Sequence, residues 1–182
     1  NKPVENCVNN MIAGTPTMKT TNDWGRVNVP NNSEKFYKIR VKLLAYLQNR
    51  GVFVFDGFAG ADPACTKKFR IINEMASQNL FIHQLLIRPT AEELANYGDP
   101  DFTILAAPGF KCIPEIDGVN SEAAIMIDYE QKLVVIAGSQ YSGEIKKSVF
   151  SVMNYLMPQE GVLPMHCSAN MDPETHETAV FF

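Results

Sequence analysis

Apolar residues recur along the chain at two spacings, and the points where one gives way to the other divide it into elements. The first 30 residues are polar and irregular, broken by Pro3, Pro16 and Pro30, with a short Val-Asn-Val segment at 27–29. From Ser33 to Asn49 the apolar positions Phe36, Ile39, Leu43, Leu44 and Leu47 follow a helical period. Ser33 is the expected N-cap and Gly51 the C-terminal stop. Val52–Phe55 reads as a buried strand that breaks at Asp56–Pro63, a stretch rich in Gly and Pro. Phe69–Ile72 is a second strand, Asn73–Phe81 a helix leading into Leu85–Ile87, and Arg88-Pro89 closes that unit. Thr90-Ala-Glu-Glu93 matches a capping box, opening a short helix that reaches Tyr97.

Phe102–Leu105 is another short buried strand, followed by a long loop from Ala107 to Ser121. Loops of that length are either functional or simply irregular. Ala123–Ile127 and Leu133–Ile136 flank the polar turn Asp128–Lys132, which predicts a β-hairpin. A helix from Gly143 to Leu156 ends at Pro158. Leu163–His166 and Thr178–Phe182 then read as two strands around a polar segment. Loosely alternating strands and helices predict an α/β class, mixed with α+β character.

Composition narrows the class of function. The chain is 46% hydrophobic and 20% charged, which is globular rather than disordered. A formal charge of -4 leaves no basic footprint for nucleic acid. No apolar run approaches the ~20 residues that span a bilayer, and Asn1 to Thr15 lack the basic-then-apolar order of a signal peptide. Cys7, Cys65, Cys112 and Cys167 are too widely spaced for a CxxC site, so reduced thiols of a cytoplasmic protein are expected. The apolar close at Thr178–Phe182 suggests a piece of a longer protein.

Candidate chemistry concentrates between Tyr141 and Asn170. Ile145, Val149, Val152, Met153 and Leu156 share one stripe of the last helix, and Lys147 points almost opposite it. Two lysines beside the positive end of a helix dipole are unfavourable unless an anion binds there. A solvated basic turn with Glu144 as local partner accounts for the same pattern. His166, at the end of a short strand, suits a metal or phosphate ligand, though a lone histidine there is more often a hydrogen-bonded core residue. Cys167 reads as a buried, inert thiol rather than a nucleophile. The Asp56–Asp62 glycine loop lacks the Walker lysine and reads as a turn packed under the sheet. His83 and His176 receive no role.

One ordered series of strings ties these segments together. It comprises Phe53-Val-Phe-Asp-Gly-Phe-Ala-Gly-Ala-Asp62, Phe81-Ile with Leu86-Ile-Arg-Pro89, Pro100-Asp-Phe-Thr103 and Ala107-Pro-Gly-Phe-Lys111. It continues through Asn120-Ser-Glu122, Tyr141-Ser-Gly-Glu-Ile-Lys-Lys147, Met153-Asn-Tyr-Leu156 and Met165-His-Cys-Ser-Ala-Asn170. From Asp23 to Phe182 the chain resembles ATP-dependent phosphoenolpyruvate carboxykinase of the bacterial type.

The resemblance implies a lyase of gluconeogenesis that converts oxaloacetate and ATP to phosphoenolpyruvate, ADP and CO2. It implies Mn²⁺ at the transferring phosphate, Mg²⁺ on the nucleotide, and ATP rather than GTP. In the family pattern the position of Tyr141 binds oxaloacetate. That of Lys147 ligates Mn²⁺ while facing substrate and γ-phosphate, and that of His166 is another Mn²⁺ ligand. The implied architecture is bilobal: residues 1–22 lie outside the resemblance, 23–160 form the substrate lobe, and 161–182 begin the nucleotide-binding lobe. The family's Gly-Lys-Thr phosphate loop would follow Phe182, so this chain alone is expected to be inactive. Where the family carries a substrate arginine in Gly-Arg-Ser-Pro, this chain reads Ala13-Gly-Thr-Pro16. The alternative is a non-catalytic binding module derived from the same lobe.

Overall fold

The computed structural model describes residues 10–13 and 28–182. The string Ala13–Pro16 beyond its first residue, the opening of the Asp23 motif, and Cys7 lie outside the described residues. Among the described residues the main sheet has seven strands. They are β1 (Asn10–Ala13), β2 (Asn28–Asn31), β3 (Phe53–Ala59), β4 (Lys67–Asn73), β5 (Phe102–Ala107), β6 (Ala124–Asp128) and β7 (Leu133–Ala137). Their order is β2-β1-β6-β7-β5-β4-β3. β4, β5 and β7 run parallel, whereas β3–β4 and β6–β7 are antiparallel hairpins. The expected mixed α/β class is what forms.

Helices cover both faces because the central strands are apolar on both sides: every residue of β6 and β7 is buried. On one face pack Phe36, Ile39 and Leu43 of α1 (Ser33–Leu47). On the other pack Ile82 of α2 (Ala76–Leu85) and Ile145, Val149 and Val152 of α5 (Gly143–Leu156). Burying each such side chain contributes about 1.5–3 kcal/mol. Between them lie α3 (Ala91–Ala95) and α4 (Pro114–Asp117).

The predicted capping box at Thr90 forms, with Glu93 N donating to Thr90 Oγ1 at 3.2 Å and Thr90 N donating to Glu93 Oε2 at 2.7 Å. The cap of α1, however, is Asn32 rather than Ser33. Asn32 is extended and its Oδ1 accepts from Lys35 N at 2.7 Å, which makes Ser33 the first helical residue. The long loop 107–121 is structural packing in its second half. Lys38 Nζ donates to Ile116 O at 2.5 Å, and Lys42 Nζ meets the buried Asp117 Oδ1 at 2.5 Å. Burial alone would raise the Asp117 carboxyl, but Lys42, the Ile113 N–H and the Lys38 charge hold it below the ordinary aspartate range.

Two strand expectations are corrected. β3 does not break at Asp56; it runs on to Ala59 as an edge strand, with Val54 exposed and Phe55, Gly57 and Ala59 facing inward. The glycine that argued for a loop instead admits a second backbone. Phe58 N donates to Ile87 O at 2.9 Å and Ile87 N returns to Phe58 O at 3.0 Å. A Cβ on Gly57 would sit 2.9 Å from that Ile87 carbonyl. Asp56, opposite Arg70 across the hairpin, accepts both guanidinium bonds at 2.8 Å. Leu163–His166 is not a strand either. Pro164 has no N–H to contribute, and the strands are β8 (Ser168–Met171) and β9 (Thr178–Phe181). They pair antiparallel as a separate two-stranded sheet around an Asx turn, where Asp172 Oδ1 accepts from Glu174 N and Thr175 N at 2.8 Å each.

Candidate active site

The ends of the three parallel strands fix where chemistry can sit. Register pairs Asn73 with Ala106 and Ala107 with Ala137, so β4, β5 and β7 finish along one edge of the sheet. The chain leaves β4 for α2 and β7 for α5 on one face, whereas β5 leads into the loop packed against α1 on the other. Diverging connections at the carboxyl ends of parallel strands open a crevice where α/β proteins bind ligands. The turn from β7 into α5 brings Ser139 and Tyr141 to that edge. Gln78 Nε2, buried on α2, donates to Ser139 O at 3.3 Å, and Ser139 Oγ accepts from Tyr141 N at 3.4 Å.

Tyr141 is 54% exposed, and Lys147 Nζ lies 5.3 Å from the centroid of its ring. This is cation–π distance, so the ring face orients an exposed ammonium without neutralising it. Gly143 makes the arrangement possible. An alanine Cβ there would lie 2.5 Å from Tyr141 Oη and 2.6 Å from Cε1. The two lysines are the fourth and fifth residues of α5, just past the first turn in which sequence placed them. Glu144 occupies that turn and is 7% exposed. Burial pushes its carboxyl above the ordinary glutamate range, and the Lys147 charge draws it part of the way back. Among the described residues no side chain caps the helix.

His166 returns to α5 from beyond the 3-10 turn Met157–Glu160. It is exposed, so it is not a core histidine. Its Nε2 lies 2.5 Å from Lys146 Nζ, and its ring is 5.4 Å from that of Phe150. The structure therefore places Lys147 over Tyr141, and His166 against Lys146 and Phe150 of the same helix. Cys167 is half-exposed, contrary to the buried thiol expected. Sequence weighs Lys146 only as one of a lysine pair, and gives no role to Gln78 or Gly143. The repeated lysine was the only local signal for the first, and Gln78 lies 61 residues from its partner.

Comparison with known proteins decides the lineage. The family model described as phosphoenolpyruvate carboxykinase matches residues 7–182. The chain belongs to the ATP-dependent phosphoenolpyruvate carboxykinase family. It is 65% identical over 168 residues to the phosphoenolpyruvate carboxykinase (ATP) of Fusobacterium nucleatum, covering 92% of this chain and 32% of that protein. A Moorella thermoacetica relative of the same name, numbered 1, is 56% identical across 94% of this chain and 32% of its own length. That of Geobacillus thermodenitrificans is 52% identical with the same coverage. The chain thus spans about a third of the length of the curated carboxykinases it matches. The match begins at residue 7, upstream of the Asp23 string at which the motif series opens.

Among the described residues no helix is long and apolar enough to cross a membrane. The same residues hold no group of three or more His, Cys, Asp or Glu side chains able to close a metal shell. His166 and Lys147 are exposed side chains that each carry a nitrogen donor of the kind such a shell uses, His166 Nε2 standing 2.5 Å from Lys146 Nζ. The remaining positions would fall to substrate, water or groups elsewhere in a longer polypeptide.

Proposed function

We propose that this chain carries the oxaloacetate side of an ATP-dependent carboxykinase, which converts oxaloacetate and ATP to phosphoenolpyruvate, ADP and CO2 in cytoplasmic gluconeogenesis. Its partners on this reading are small molecules: oxaloacetate or phosphoenolpyruvate, ATP or ADP, CO2, Mn²⁺ and Mg²⁺. The observation that supports the reading is that Lys147 stacks over Tyr141 while His166 packs on the same helix against Lys146 and Phe150, in a member of this family. Residues 23–160 would form the substrate lobe and 161–182 the start of the nucleotide lobe. In support, the main sheet and α5 are complete by Leu156, and β8–β9 form a sheet of their own.

In this scheme Tyr141 presents its phenol to a substrate carboxylate from a ring held over Gly143. Lys147 would contribute positive field to the dianionic substrate, and its Nζ would be one nitrogen donor to the cation. His166 supplies the second nitrogen. When bound, the divalent cation supplies Lewis-acid polarisation of substrate oxygens and neutralises charge on the transferring phosphoryl group. Buried Glu144 keeps the base of α5 from accumulating cationic charge alone.

The test is a full-length carboxykinase carrying this sequence, with Lys147→Ala and His166→Ala. Each is expected to lower kcat by about 10²-fold or more and to weaken Mn²⁺ binding measured by electron paramagnetic resonance. Near wild-type turnover in either variant removes that residue from the machinery.

A further inference from the structure

We propose that Gln78 of α2 is a positioning residue for the oxaloacetate reaction: it fixes the turn between β7 and α5 and so sets where the Tyr141 ring stands. This rests on the reading of Tyr141 as a substrate-binding residue. Gln78 lies on the core-facing side of α2, one turn before Ile82, where an apolar side chain is the ordinary choice. It is 1% exposed, yet only half of its amide is used. Nε2 donates to Ser139 O at 3.3 Å, 61 residues away, while Oε1 is buried without a partner among the described residues. An orphaned buried carbonyl is destabilising, so a glutamine here is a poor choice for core packing alone. What it supplies is one donor to the peptide that carries the chain out of the sheet.

The turn is anchored at both ends and linked in the middle. Upstream, Gly138 has a φ of +68°, its N–H donates to Ala107 O at 3.1 Å, and a Cβ on it would collide with the Glu122 carbonyl. Downstream, Tyr141 O accepts from Glu144 N at 3.1 Å, which ties the turn to the first residues of α5. Between these anchors Ser139 makes two bonds. Its carbonyl takes the Gln78 proton, and its Oγ accepts from Tyr141 N at 3.4 Å. Gln78 therefore reaches the Tyr141 backbone through a single intervening residue. Both Gln78 and Ser139 are buried, and in such low-dielectric surroundings a hydrogen bond is stronger than in water. Removing the donor frees the Ser139 peptide to rotate and lets the Tyr141 ring drift from the place that substrate requires.

The experiment uses the full-length carboxykinase carrying this sequence, with Gln78→Met, Ser139→Ala, Tyr141→Ala and the Gln78→Met/Tyr141→Ala double variant. Methionine keeps the length of the side chain and removes the donor. Gln78→Met is expected to lower kcat/KM for oxaloacetate about tenfold, the worth of one buried hydrogen bond. KM for ATP should stay at wild type, a split that general loosening of the fold does not produce. Ser139→Ala leaves the Gln78 bond in place and cuts the link to Tyr141 N. It should give the same selective loss at about threefold, the lower end for such a bond, and it decides the matter if Gln78→Met does not fold. Because Gln78 acts through the tyrosine, adding Gln78→Met to Tyr141→Ala should lower kcat/KM no further. With Tyr141→Ala impaired, three results overturn the proposal while leaving Tyr141 a substrate residue: wild-type kcat/KM in Gln78→Met or Ser139→Ala, a matching rise in KM for ATP, or additive losses in the double variant. Wild-type kcat/KM for oxaloacetate in Tyr141→Ala overturns the reading of Tyr141 itself.

Discussion

Replacing Gly143 with alanine separates the two tasks of the α5 N-terminus. The added methyl would stand 2.6 Å from Tyr141 Cε1, whereas carbon atoms pack at about 3.5–4.0 Å. The ring must therefore move by about 1 Å or more. It is 54% exposed and can swing into solvent, so the fold does not resist. At this first helical position alanine gains at most its helix-interior advantage over glycine, about 0.5–1 kcal/mol, and losing the Lys147–ring contact costs about 0.5–1 kcal/mol. The two nearly cancel, so urea denaturation should place the variant within about 1 kcal/mol of wild type. Function should not be spared. A reacting geometry displaced by about 1 Å costs on the order of 10²-fold, so kcat/KM for oxaloacetate in the full-length enzyme should fall roughly 10–100-fold. If Gly143 acts only through the ring, adding Gly143→Ala to Tyr141→Ala changes nothing further. Wild-type kcat/KM in Gly143→Ala, with the ring shown displaced, refutes the reasoning.

Three further outcomes follow from the described geometry. Lys42→Met strips the buried Asp117 of its ion partner and should cost about 1–3 kcal/mol, discounted from a fully buried pair because Lys42 is partly exposed. Because the Asp117 carboxyl is depressed in the folded state, its contribution is present above the ordinary aspartate pKa and lost as pH falls through the folded value. The stability gap between wild type and Lys42→Met should therefore close on acidification, as denaturation at pH 7 and pH 3 would show. Burial pushes the Cys112 thiol up to about 11, so at pH 8 alkylation with mass mapping should label Cys65 and Cys167 and spare Cys112 until unfolding. Glu144→Gln should stabilise the protein at neutral pH and lose that advantage in acid, since a raised carboxyl favours the fold only while it is protonated. Tm measured across pH would expose a constant offset if this sign were wrong.

Much of this protein is legible in the chain because it depends on neighbours in sequence. The Thr90 capping box, the 124–137 hairpin and the buried stripe of α5 each arise from contacts within a few residues. The motif series is likewise local, and it led to the family that the comparisons establish. The errors fall where a distant partner overrides local preference. Gly57 signals a loop until Ile87, 30 positions on, supplies the backbone that a glycine admits into an edge strand. Leu163–His166 carries strand-like residues, yet β8 is chosen by its pairing with β9. The site divides the same way. Tyr141 and Lys147 stand close together on one turn and helix, so their spacing announces them. That His166 meets Lys146 rather than its neighbour, and that Gln78 braces Ser139, are decided by how α5, the 3-10 turn and α2 pack. Periodicity and motif order set which groups are available; only packing across long sequence separations decides which atoms meet.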